Sequence, residues 1–195
     1  MSQRAYRFSF SWAALMLAWG ASTVAARAQT VDPIKAAQVK AAYLYNFAKF
    51  TKWPDEAFPD ASAPVVIGVL GADPFGETLD KTVEDKTVEN RKFLVKRLPS
   101  RSEHDRTALR SCHILYISES LQSRWGSILE LLGDAPVLVV GESDEFAAAG
   151  GMLSFVLSAG NIVFHLNRDA VERSKLQLSS KLMKLAKVVY PKEKG

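Results

Sequence analysis

Cys112 and His113 stand side by side, a nucleophile and a base if their side chains could reach each other. His113 opens the apolar run His113-Ile114-Leu115-Tyr116-Ile117, which reads as a strand, and neighbours along a strand point to opposite faces. The two therefore cannot act as a pair, and Cys112 reads as a small buried side chain. Gly71-Ala72-Asp73-Pro74-Phe75-Gly76-Glu77-Thr78 has the glycine spacing of a phosphate-binding loop between a strand and a helix. Its lysine is missing. Glu77 stands where a cation should reach phosphate oxygens, and Pro74 removes a backbone donor, so the stretch reads as a tight strand-to-helix turn. His104, His113 and His165 lack the spacing of metal ligands, and the chain has no Gly-x-Ser-x-Gly elbow. The acids are scattered among basic residues on expected helices. No catalytic, metal-ligating or cofactor-binding residue is assigned, which favours a binding protein over an enzyme.

The elements that would carry any site begin at Asp32-Pro33, a cap side chain followed by a residue whose fixed φ suits a first helical turn. A helix follows to about Lys52 and ends at Trp53-Pro54. Ile34, Ala37, Ala41, Leu44, Phe47 and Ala48 form one apolar stripe, with Tyr43 and Phe50 on its flank. Lys40 falls inside the stripe, where its stem can lie on apolar surface while the ammonium reaches solvent or a carboxylate. Tyr45, Asn46 and Lys49 fall on the opposite face with Trp53 at its end. These four are the candidate partner contacts, because aromatic residues on an exposed face commonly anchor interfaces. Cover by another element of the fold is the alternative.

Pro64–Leu70, Arg91–Leu98, His113–Ile117 and Pro136–Val140 read as strands, separated by helices at Leu79–Val83, Ser102–Ser111, Leu121–Leu132 and Asp144–Ala149, the last capped by Ser143. Met152–Leu157 and Asn161–Leu166, joined by Ser158-Ala159-Gly160, read as a hairpin. A turn of helix to Arg173, an extended Leu176–Leu178 piece and a last helix with Leu182, Met183, Leu185, Ala186 and Val189 complete the chain. Alternating strands and helices imply right-handed crossovers. The expected fold is a single three-layer α/β domain: a mainly parallel sheet, helices on both faces, and a C-terminal β-hairpin followed by a helix.

Arg4 and Arg7 precede an apolar run from Phe8 to Trp19 and then Ala26-Arg27-Ala28. This is the pattern of a cleaved signal peptide over residues 1–28, since the run is shorter than the roughly twenty residues of a spanning helix. The domain is then 29–195, with no membrane insertion after processing. Cleavage removes three arginines and no acid, leaving 22 basic against 21 acidic residues. So small an excess does not indicate a nucleic-acid partner. With Cys112 as the sole cysteine an intrachain disulfide is ruled out, while a bridge between chains, and with it a homodimer, stays open.

Val39–Pro54, Asn161–Asn167 and Leu178–Ala186, taken together, resemble the YfiR/HmsC-like family over nearly all of the mature chain. The resemblance implies a small periplasmic protein, not an enzyme, that represses an inner-membrane diguanylate cyclase through the cyclase's periplasmic portion. It thereby implies control of cyclic di-GMP signalling and biofilm formation. Family members that use disulfides for stability or redox response differ from this chain, which has a single thiol. A periplasmic module binding a small ligand, like one lobe of a solute-binding protein, is the second reading, and an unrecognised hydrolase the third.

Overall fold

The computed structural model describes residues 32–187 and 189–190; the expected signal peptide lies outside the described residues. Helix α1 (Pro33–Phe50) starts as its sequence dictates, with the Asp32 side chain accepting from the Ile34 N–H at 2.9 Å. The chain then turns extended through β1 (Thr51–Lys52) into Trp53-Pro54, as the residues before a proline prefer. β2 (Val65–Leu70), α2 (Glu77–Val83), β3 (Thr87–Val88), β4 (Arg91–Leu98), α3 (Arg106–Arg110), β5 (Ile114–Ile117), α4 (Trp125–Leu132) and β6 (Leu138–Glu142) follow. The last third contributes α5 (Ser143–Ala148), β7 (Leu153–Ser158), β8 (Asn161–Asn167), α6 (Arg168–Arg173), β9 (Gln177–Leu178), α7 (Ser180–Leu185) and β10 (Val189–Tyr190).

This is a mixed α/β domain whose sheet runs in the order β10-β8-β7-β6-β5-β2-β4-β3, while β1 and β9 form a separate antiparallel pair. The five strands β4, β2, β5, β6 and β7 are mutually parallel. Taken in chain order they lie second, first, third, fourth, fifth, so the direction of winding reverses between β2 and β5. β8 returns antiparallel to β7 through six registered pairs, which is the expected hairpin. Every residue of β2 is buried, as its unbroken apolar run requires. Phe47 of α1 packs on Phe155 and Phe164 of the hairpin, with Tyr43 beside them. Across the sheet, Phe146 of α5 lies over Gly141 and meets Trp125 edge-on. A side chain at Gly141 would fall inside that ring.

Five local expectations change. Ile34 is 67% exposed, so the apolar stripe begins at Ala37. The polar helix over Ser102–Ser111 is two pieces, because Asp105 breaks it and caps α3 by accepting from the Ala108 N–H. β6 starts at Leu138, since the Val137 N–H is already taken by the Ala135 carbonyl, and it runs on to Glu142. Ser143 is then the first residue of α5, with φ +71, and supplies no cap. The last helix stops at Leu185. Ala186 is extended, Lys187 donates its N–H to the Phe164 carbonyl, and Val189–Tyr190 form a strand parallel to β8.

Candidate functional site

The face of α1 chosen from the sequence divides in two. Lys49 is exposed, and its ammonium lies 6.0 Å from the Phe50 ring, which Lys181 approaches at 5.1 Å. Tyr45 and Asn46 are half-buried. The Tyr45 ring meets Phe93 of β4 edge-on at 5.8 Å and carries the Lys86 ammonium at 4.7 Å. Trp53 departs from the expected exposure: it is 6% exposed, and its indole N–H donates to the His113 carbonyl at 3.2 Å. The reason lies at the helix end, where the turn into β1 swings Trp53 off the helical face and under the sheet.

His113 is fully engaged where it stands. Its Nδ1 accepts from the Val66 N–H at 3.0 Å, so Nε2 carries the proton and donates to the Ala57 carbonyl at 3.1 Å. Phe58 stacks on the ring at 4.3 Å, and the Arg91 guanidinium covers Phe58 at 3.8 Å. Burial holds the imidazole's pKa down to about 4, with the charges of Arg91 and Lys96 adding to the effect. A neutral ring with both nitrogens bonded is a structural joint rather than a base. Cys112 is buried beside it, its Sγ against the backbone of Gly68, and burial pushes the thiol's pKa up. A cleft of about 560 Å³ opens next to these residues, with Lys96 and Arg110 on its walls.

At the opposite ends of the strands the winding reversal between β2 and β5 is the place where such sheets bind ligands. Here it is laced shut by the protein's own groups. The Ala72 N–H donates to Ser120 Oγ, and the Ser118 N–H to the Leu70 carbonyl. Gly71, at φ +92, has Ser118 and Ser120 packed where a side chain would go. The phosphate-loop resemblance fails on the same grounds, because Asp73 Oδ1 accepts from the N–H groups of Phe75 and Gly76 and its Oδ2 binds Arg97 at 2.9 Å. The turn reading of that loop is correct.

One polar cluster eluded the sequence. Lys40 reaches the carboxylate of Glu142 at 2.6 Å, and the Tyr116 hydroxyl donates to the same oxygen. Phe75 closes over the Tyr116 ring at 4.9 Å. Burial and the adjacent carboxylate both raise the phenol's pKa, so Tyr116 keeps its proton and is no nucleophile. The signal was an acid two residues past where the apolar strand was expected to end. Among the described residues no three His, Cys, Asp or Glu side chains converge to hold a metal ion.

The YfiR/HmsC-like family model matches residues 37–187, from α1 through α7. The chain belongs to the YfiR/HmsC-like family. That family is periplasmic, regulatory and non-catalytic, and is known for the control of diguanylate cyclases. Among solved structures, a conserved domain protein from Vibrio cholerae O1 biovar El Tor matches with a TM-score of 0.55 at 11% identity, over 76% of this chain and 60% of the other. This chain therefore spans three fifths of that structure, and the likeness is one of fold. No curated protein matches. Among the described residues no helix is long and apolar enough to cross a membrane.

Proposed function

We propose that this protein is a periplasmic regulator that binds the periplasmic portion of an inner-membrane diguanylate cyclase and represses it, lowering cyclic di-GMP and biofilm formation. The observation that carries the reading is the family match across the whole α/β domain, 37–187. His113 and the Lys40–Glu142–Tyr116 group are closed by internal bonds. The contact surface is the C-terminal end of α1, where Lys49 stands outermost, Asn46 is half-buried and Tyr45 packs on Phe93 of the β3–β4 hairpin. Trp53 supports that surface from beneath. Tagged protein expressed with its own N-terminus, cross-linked in the envelope and captured, should bring down a membrane cyclase. Recovery of the protein from the cytoplasm, or capture without any cyclase, would count against the proposal.

A small-ligand module is the second reading, and the cleft of about 560 Å³ between Val66, Lys96 and Cys112-His113 favours it. Ligand occupancy there is compatible with a repressor that responds to a signal.

A further inference from the structure

β4 is paired along its length on one side only. Six registered pairs, from Val65 with Phe93 to Leu70 with Leu98, join it to β2. On the other side β3 covers Arg91 and Lys92, and among the described residues no strand pairs with Phe93–Leu98. Parity tells which backbone groups are open. The Gly71 N–H donates to the Leu98 carbonyl, so Leu98, Lys96 and Leu94 turn their backbone groups toward β2. Phe93, Val95 and Arg97 turn theirs outward. We propose that this edge is a docking site for an extended segment of a partner protein in which acidic and apolar residues alternate, added to the sheet as an outer strand.

The alternation follows from the two faces such a strand would meet. β4 carries four basic residues and no acid. Two are occupied: Arg91 donates to the carbonyls of Asp60 and Ala63, and Arg97 binds Asp73 and Asp80. Lys92 and Lys96 make no ion pair among the described residues, and they flank Leu94, which is 43% exposed, on one face of the strand. Carboxylates at alternate positions of an incoming strand would lie opposite these lysines. On the other face Phe93 and Val95 join Val83 of α2 in lining a groove of about 560 Å³. Apolar side chains fit against Phe93, Val95 and Val83 there, while the rest of the lining is of mixed charge, Glu84 and Asp85 beside Lys81 and Lys86. A second copy of β4 is the wrong occupant, since edge-to-edge pairing would set Lys92 and Lys96 among the same lysines. Lysines on an open edge commonly guard it against indiscriminate pairing, and an acidic strand is the partner that such a guard admits. Tyr45 packs on Phe93, so the edge is continuous with the contact surface proposed above.

The proposal rests on the regulator reading only for which protein supplies the strand. Its test uses an eight-residue peptide of alternating Glu and Val, a Lys and Val counterpart, and a peptide with the four Glu and four Val in blocks. Titrated into the 15N-labelled protein, the Glu and Val peptide should shift the amides of Phe93, Val95 and Arg97 and slow their hydrogen exchange at least tenfold. The other two peptides should bind at least tenfold more weakly. Val95→Pro removes one outward donor and leaves the ladder to β2 intact, so binding should fall tenfold or more with little change in melting temperature. Should that variant fold poorly, Lys92→Glu with Lys96→Glu should reverse the preference toward the Lys and Val peptide. No binding at millimolar peptide, equal binding of all three peptides, or amide shifts confined to other surfaces would overturn the proposal. The peptides read the edge alone and cellular cyclic di-GMP reads regulation alone, so either idea can fail without the other.

Discussion

The indole N–H of Trp53 donates to the carbonyl of His113 across 3.2 Å, tying the exit of α1 to the start of β5. The same carbonyl accepts from the Leu138 N–H at 2.8 Å, so one oxygen joins helix exit, strand β5 and strand β6. A residue that looked like an interface anchor is thus a core joint. Trp53→Ala should cost about 3–5 kcal/mol, the range for losing a large buried aromatic. Trp53→Phe keeps most of the apolar volume and leaves the carbonyl its second donor, so about 0.5–1.5 kcal/mol is expected. Urea unfolding with an unchanged m-value reads both. Equal, negligible losses would mean that the side chain is not held as described.

Lys40 and Glu142 lie 102 residues apart in sequence and meet with side chains 13% and 22% exposed. Lys40→Met leaves the carboxylate to the Tyr116 hydroxyl alone and should cost about 1–3 kcal/mol, below the fully buried case because some solvent reaches the pair. Glu142→Gln should cost a similar amount. The double variant should cost clearly less than the two losses added, because neither member is then left as a lone charge. Strict additivity in urea unfolding would show that the pair is not coupled.

His113 gives the fold a pH dependence of known sign. Its pKa is about 4 folded against an ordinary value of 6.5, so between these the unfolded chain binds more protons. Stability from this group is complete above about pH 6.5 and is lost as pH falls toward 4. Protonation of Nδ1 would also remove the acceptor of the Val66 N–H. His113→Asn retains an acceptor and cannot titrate, so its melting temperature should change less than wild type between pH 6.5 and 4.5. Parallel pH profiles of the two proteins would contradict the assignment.

Cys112, in the loop between α3 and β5, packs against Gly68 of β2. A side-chain carbon at Gly68 would fall 2.5 Å from Cys112 Sγ. Gly68→Ala should therefore destabilise by about 1–3 kcal/mol, and Cys112→Ala in the same chain should restore part of that loss. Cys112→Ser alone should change thermal stability little, since the two side chains are close in size. A large loss from Cys112→Ser, with a disulfide-linked dimer in the wild type on a non-reducing gel, would show instead that the thiol joins chains.

Elements with strong local signals were legible in the chain: the capped α1, the apolar run of β2, the α2 turn and the β7–β8 hairpin. Short pieces held by partners distant in sequence were not. Val189 looks helical by spacing, yet Lys187 has already entered the ladder beside Phe164, which no local pattern reports. The β3–β4 hairpin turns at Glu89 and Asn90, both at positive φ, where glycine is the usual signal. Lys40 was visible as a cation inside an apolar stripe, but its partner could not be chosen, because Glu142 reaches it only through the crossover from β5 to β6. Trp53 was misplaced for a related reason. Helical spacing was carried past the residue where the chain turns extended.

The regulator proposal is tested most directly by cellular cyclic di-GMP in a strain lacking this gene, compared with the same strain complemented by wild type and by Lys49→Glu with Tyr45→Ala. The proposal predicts that cyclic di-GMP and surface attachment rise on deletion, fall back with wild type, and stay high with the double variant while its melting temperature stays within a few degrees of normal. Unchanged cyclic di-GMP in a deletion strain that retains its periplasmic-sensing cyclases would contradict it.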